Sequence, residues 1–143
     1  MSAASRSAPA DLANLEMLAK AFSEVAAGPP GIAQTSLLEQ VIEDYEADET
    51  PELNLNDLAV LLNNAWTQAS QRAAGSSALV TVSPLTGSDG RATGYDQVLI
   101  LQDDAPFLVD SVLGELADAG VTVRAFYHPI VEVAAGRRDS MII

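Results

Sequence analysis

The chain has 143 residues, 48% of them hydrophobic and 19% charged, a balance that requires a buried core and argues against disorder. It has no cysteine, which excludes disulfides, thiolate metal sites and cysteine nucleophiles, and its net charge of −13 makes nucleic acid and anionic membrane poor partners. No apolar run is long enough to span a bilayer, and Met1–Ala10 lacks the apolar centre of a signal peptide, so the cytoplasm is the expected compartment.

The small, polar residues 1–10 read as a flexible tail. Asp11 can cap a first helix that runs to about Ala27, with Leu12, Leu15, Leu18, Phe22 and Val25 at helical spacing. Gly28-Pro29-Pro30-Gly31 ends it. A second helix opens on a capping box, Ser36 with Glu39. Leu37, Leu38, Val41, Ile42 and Tyr45 form its apolar stripe, and Glu39, Gln40, Glu43 and Asp44 its wet face. No Lys or Arg lies between Lys20 and Arg72, so the stretch from Glu39 to Asp57 is strongly acidic. It reads as a solvated face and loop, or as a docking surface for a basic patch. Asn54 or Asn56 caps a third helix, whose stripe is Leu58, Leu61, Leu62, Ala65, Trp66 and Ala69. It fades at Ala74-Gly75.

Strand signals take over at Ser76. Ala78–Ser83 is β-branched and is stopped by Pro84, and a glycine-rich loop follows to Gly94. Tyr95–Leu101 ends in an apolar run that suits a buried strand. A helix from about Pro106 to Ala119 presents Leu108, Val109, Val112, Leu113 and Leu116 to a core and closes on Gly120 as a left-handed cap. Val121–Val133 reads as a long strand, Ala134–Asp139 as a turn, and Ser140–Ile143 as a new strand. With no turn or polar tail after Ile143, the sequence reads as truncated within a domain. The order β-α-β-β is the first part of the β-α-β-β-α-β pattern.

Gln102-Asp103-Asp104-Ala105-Pro106-Phe107-Leu108-Val109-Asp110-Ser111-Val112, followed by His128-Pro129-Ile130-Val131-Glu132-Val133, resembles the N-terminal region of the large bacterial NAD-specific glutamate dehydrogenases. That family has a strand, then Asp-Asp-Met-Pro-Phe-Leu-Val-Asp-Ser, a helix, and a strand ending His-Pro-Val. Ala105 stands where the family has Met, and Ile130 where it has Val. Arg138-Asp139 and the strand Ser140–Ile143 also resemble family positions, and the specific similarity covers roughly residues 95–143. The resemblance implies a parent enzyme that oxidatively deaminates glutamate to 2-oxoglutarate and ammonia with NAD. It implies that this region is ACT-like and non-catalytic, that the catalytic lysine and nucleotide fold lie elsewhere in the parent, and that no cofactor binds here.

Read physically, Pro106 suits a first helical turn, and Asp103 and Asp104 precede it as caps facing the positive helix end. Free N–H groups at such a turn can bind a carboxylate. The resemblance adds that ACT domains take amino acids there, usually across a dimer interface. The two aspartates would repel the ligand's carboxylate but could hold its ammonium group. Asp103, Asp104, Phe107, Asp110 and Ser111 are therefore the candidate ligand residues, with plain capping and anchoring as the simpler reading. His128, the one histidine, reads as a structural residue, since a single imidazole makes no His-based metal site. Trp66 reads as core. Gly87, Gly90 and Gly94 lie between two strands and form no phosphate loop.

The expected fold is α+β. A helical segment over 11–75 precedes a partial ACT/ferredoxin-like sheet domain over 76–143. Strand 78–83 pairs with 95–101 as a hairpin, and it occupies the slot that a missing fourth strand would fill. The expected function is a regulatory or assembly module of the dehydrogenase. The alternative is a stand-alone ACT-type amino-acid sensor. Expected partners are the remainder of the parent chain, an amino-acid effector, and a second copy paired through the free sheet edge.

Overall fold

The computed structural model describes residues 2–47, 53–72, 78–103, 108–134 and 137–143, and their side chains except at 2–12, 108–109, 133–134, 137–140 and 142. The described elements are α1 (Ser2–Ala26), α2 (Ile32–Ala47), α3 (Leu55–Gln71), β1 (Leu79–Thr86), β2 (Ala92–Asp103), α4 (Leu108–Asp118), β3 (Ile130–Ala134) and β4 (Arg137–Ile142). The α+β expectation holds.

The helices bury the stripes that their periodicity marks. Leu18 and Phe22 of α1, Leu37, Leu38 and Val41 of α2, and Leu58 and Leu62 of α3 are fully enclosed. Each such side chain contributes about 1.5–3 kcal/mol on leaving water. Trp66 is partly buried against this core, as expected. Asn54 caps α3 by accepting from the Asp57 N–H at 2.8 Å. Tyr45 donates to the Leu53 carbonyl at 2.8 Å, which ties the end of α2 to the start of α3.

Helix beginnings depart from the sequence reading. α1 starts at Ser2 rather than Asp11, because Ala-rich sequence ahead of Asp11 carries helical propensity of its own. It ends on Ala27 at φ 59°, a left-handed cap closed by a 3.0 Å bond from the Gly28 N–H to the Ser23 carbonyl. α2 starts at Ile32, so Ser36 lies inside it rather than at its cap. The cap is Gly31, whose carbonyl accepts from the Thr35 N–H and whose N–H donates to Gln34 Oε1, each at 2.8 Å. A glutamine three residues into the helix does what Glu39 was expected to do.

The sheet has the order β1-β2-β4-β3, antiparallel throughout. The hairpin forms as expected, with Thr81 opposite Leu99, and β1 takes the edge beside β2. β1 runs through Pro84 to Thr86, with a bulge after Pro84. An edge strand accommodates proline because its outer side needs no N–H donor. Only Ile130–Ala134 of the expected 121–133 strand is regular. Pro129 has no N–H to give a ladder, although its carbonyl accepts from the Met141 N–H at 3.0 Å. β4 begins at Arg137, earlier than the expected Ser140.

Leu99, Leu101, Met141, Tyr127 and Val131 lie on the sheet face that the helical layer covers, and they join one core with the helices. Gln40 fixes that contact. It was expected on the wet face of α2, yet it is half-buried. Its Nε2 donates to the Ile130 carbonyl and its Oε1 accepts from the Ile130 N–H, both at 2.9 Å. The carboxamide thus stands in for a strand residue and caps the edge strand β3. Gln40→Ala leaves both backbone groups unpaired and is expected to cost about 2 kcal/mol. A urea midpoint that falls at unchanged slope would register it.

α4 departs most from expectation. Its cap at Gly120, φ 75°, forms as expected, with the Val121 N–H on the Leu116 carbonyl at 3.0 Å. Among its described side chains, Val112, Leu113 and Leu116 do not join the core. Val112 and Leu116 are only half-buried and Leu113 is exposed. Val112 and Leu116 face a cavity instead of a packed layer. Pro106, the expected start of α4, lies outside the described residues.

Candidate functional site at the end of strand β2

The sequence places its candidate site where β2 gives way to α4. Asp103 is the last residue of β2, opposite Asp139 of β4. Asp110 lies in the first turn of α4, where a carboxylate meets the positive end of the helix dipole. Ser111 follows it. Asp110 and Ser111 are exposed. Asp104 and Phe107 lie outside the described residues, and nothing tests their expected role.

Asp103 carries the defining contact. Its Oδ1 accepts from Arg72 Nη2 at 3.0 Å. The pair is lopsided, with the Arg72 side chain 2% exposed and that of Asp103 61%. Arg72 caps the end of α3, its N–H on the Ala69 carbonyl, and from there its guanidinium reaches under the sheet to the end of β2. The sequence reading gave Arg72 no role beyond ending an acidic run, since no local pattern links it to Asp103. The bond orients the Asp103 carboxylate and leaves its outer side in water, where a ligand's ammonium group could approach it.

Gln97 is a second polar side chain that periodicity missed. It is buried within β2, where its Nε2 donates to the Leu61 carbonyl at 3.2 Å and its Oε1 accepts from Asn64 Nδ2 at 3.3 Å. Both bonds hold the middle of β2 to α3, as the Arg72 ion pair holds its end. His128 is half-buried next to Pro129, in keeping with a structural role. Among the described residues no group of carboxylates and histidine is placed to hold a metal ion, and no helix is long and apolar enough to cross a membrane.

Apart from this site, an apolar cavity of about 140 Å³ lies between β2, α4 and residues 121–127. Leu61, Leu85, Val98, Val112 and Leu116 are among its walls. Of the described candidate residues, Asp103, Asp110 and Ser111 do not line it.

The family model described as "Glutamate dehydrogenase, ACT1 domain" matches residues 37–141. The match runs from within α2 to within β4 and takes in residues 103–111, which include every candidate residue. No curated protein and no solved structure matches the chain.

Proposed function

From the premise that the chain belongs to the glutamate dehydrogenase ACT1 domain family, we propose that it is a non-catalytic regulatory and assembly domain of a bacterial, cytoplasmic, NAD-dependent glutamate dehydrogenase. The parent oxidises glutamate to 2-oxoglutarate and ammonia while NAD accepts the hydride. This domain takes no part in the chemistry and binds no cofactor. Its role is to take an amino-acid effector between the end of β2 and the start of α4 and to pass that binding to the rest of the enzyme.

The observation that carries the reading is the family match across 37–141. It is joined by a held, solvent-facing carboxylate in Asp103 at the end of β2, and by Asp110 and Ser111, which are exposed in the first turns of α4. Asp103 supplies a counter-charge for an ammonium group, and the helix N–H groups supply donors for a carboxylate. An α-amino acid has both.

The test is a thermal-shift and calorimetric titration of the chain with glutamate, aspartate, arginine and other amino acids. At about 100 times its Kd, an effector that binds only the folded state adds about 2.7 kcal/mol, a rise of roughly 8 °C for a domain of this size. The expected result is saturable stabilisation by one amino acid, lost in Asp104→Ala and in Asp110→Ala. Stabilisation that survives both substitutions would move the ligand elsewhere. No stabilisation by any amino acid would leave assembly as the domain's role.

A further inference from the structure

We propose that β1 is a dimerisation edge. Two copies of the chain pair antiparallel along it, with Thr81 of one opposite Thr81 of the other, and join their sheets into one. This names a partner for the assembly role, but it rests on β1 alone, so its test involves neither effector binding nor enzyme activity.

The two edges of the sheet differ. At β3 the Gln40 carboxamide occupies the backbone groups of Ile130. At the other end of the strand order lies β1, and no described strand lies beyond it. The ladders show which of its groups point outward. Ile143 exchanges both backbone hydrogen bonds with Tyr127, at 3.1 and 3.0 Å, so Ile142 turns its own toward β2, where it meets Ile100. Residues of an antiparallel strand turn N–H and C=O alternately to the two neighbours. Leu99 and Gln97 therefore turn toward β1, where they meet Thr81 and Ser83. Val80, Val82 and Pro84 turn outward. Pro84 is at home there, since it has no N–H to withhold from β2. With the bulge that follows it, Pro84 also ends the stretch that a partner strand can use, which leaves residues 79–83.

The chemistry of that stretch selects a second copy. Among the described elements β1 alone carries no charged residue, whereas exposed edges are ordinarily guarded by charge. At a net charge of −13 two copies repel over most of their surface, and a neutral strip is where they can meet. Val80 and Val82 are 60% and 65% exposed, and they share a sheet face with Ile100 and Val98 opposite them. The order Val80-Thr81-Val82 reads the same in both directions. Centred on Thr81, Val80 of each copy meets Val82 of the other, and each such pair exchanges both backbone hydrogen bonds. The valine pairs and the central threonine pair are favourable cross-strand neighbours. Centring on Val82 would set Val80 against Pro84, which has no N–H. Centring on Val80 would set Val82 against Ala78 and lose a valine pair. The joint is isologous and closes at two copies, because the far edge of each sheet is capped by Gln40. A ladder this short is at the small end of protein interfaces, so the dimer is reversible and its population rises with concentration.

The chain has no cysteine, so a single introduced thiol reports the register. Thr81→Cys brings two Cα atoms to about 4.5 Å, inside the range of about 4.4–6.8 Å that a disulfide spans. Val80→Cys sets its two thiols on a diagonal, with Cα atoms about 7–8 Å apart, outside that range. Under mild oxidation Thr81→Cys is expected to double its mass from 14.9 kDa on non-reducing electrophoresis, while Val80→Cys stays at the mass of one chain. Adding Val82→Lys to Thr81→Cys opposes charge to the apolar strip and is expected to abolish the cross-link while leaving the urea midpoint unchanged. In sedimentation the unsubstituted chain is expected to move from one copy toward two as its concentration rises. Cross-linking no faster in Thr81→Cys than in Val80→Cys, or cross-linking that survives Val82→Lys, overturns the proposal. So does an unsubstituted chain that sediments as one copy at every concentration, which would leave the edge to a different protein.

Discussion

Phe22→Ala is expected to lower the stability of the whole domain by about 3–5 kcal/mol, the usual cost of removing a fully enclosed aromatic ring. Phe22 is completely buried, and it belongs to a single core that also contains Leu101 of β2 and Met141 of β4. It sits on α1, which precedes the span matched by the family model and packs against α3 and α2. A typical domain is stable by about 5–15 kcal/mol, so the loss is a large fraction of the total. Urea unfolding followed both by Trp66 fluorescence and by far-ultraviolet circular dichroism measures it. The expectation is one transition, moved to lower urea and coincident by the two probes. A midpoint close to that of the unsubstituted chain would make α1 an appendage and would remove it from the regulatory unit.

Asp103→Ala is expected to cost about 2–3 kcal/mol, and Arg72→Met about 1 kcal/mol or less. The inequality follows from where each charge sits. The Asp103 carboxylate is 61% exposed, so without Arg72 it is solvated by water, and the attraction lost is screened. The Arg72 side chain is 2% exposed, so without Asp103 its buried guanidinium loses a counter-charge that water cannot replace. Methionine fills much of the space of the arginine stem and carries no charge to strand. A double-mutant cycle on the two residues reads the coupling directly. Equal losses from the two single substitutions would contradict the asymmetry. The same measurement bears on function, because a substantial loss in Asp103→Ala without any effector present shows that Asp103 anchors the end of β2 whatever else it binds. Asp104→Ala and Asp110→Ala are for that reason the sharper probes of ligand binding.

The elements that local pattern determines were legible in advance. The leucine stripe of α3, the Asn54 cap, the β1–β2 hairpin and the Gly120 cap each depend on residues within a turn or two of each other. What escaped depends on distant partners. Gln40 has the polarity and spacing of a solvent-facing helix residue, and only the arrival of Ile130 makes it a buried edge cap. Arg72 and Gln97 belong to the same class, each defined by a residue on another element. Pro84 misled because strand-breaking by proline assumes a neighbour on both sides, and β1 lies at an edge. At the candidate site, the sequence order placed Asp103 near the end of β2 and Asp110 and Ser111 near the start of α4, where they lie. It could not supply the arginine that holds the first of them, nor the loose packing of α4.

The most direct test of the regulatory role is the rate of glutamate-dependent NAD reduction by the full-length enzyme as each amino acid is titrated, with the unsubstituted enzyme and Asp110→Ala compared side by side. The account predicts a saturable change in rate caused by one amino acid, and a shift of that response to higher concentration, or its loss, in Asp110→Ala. A response of the same size at the same concentration in both enzymes, or no response in either, would contradict it.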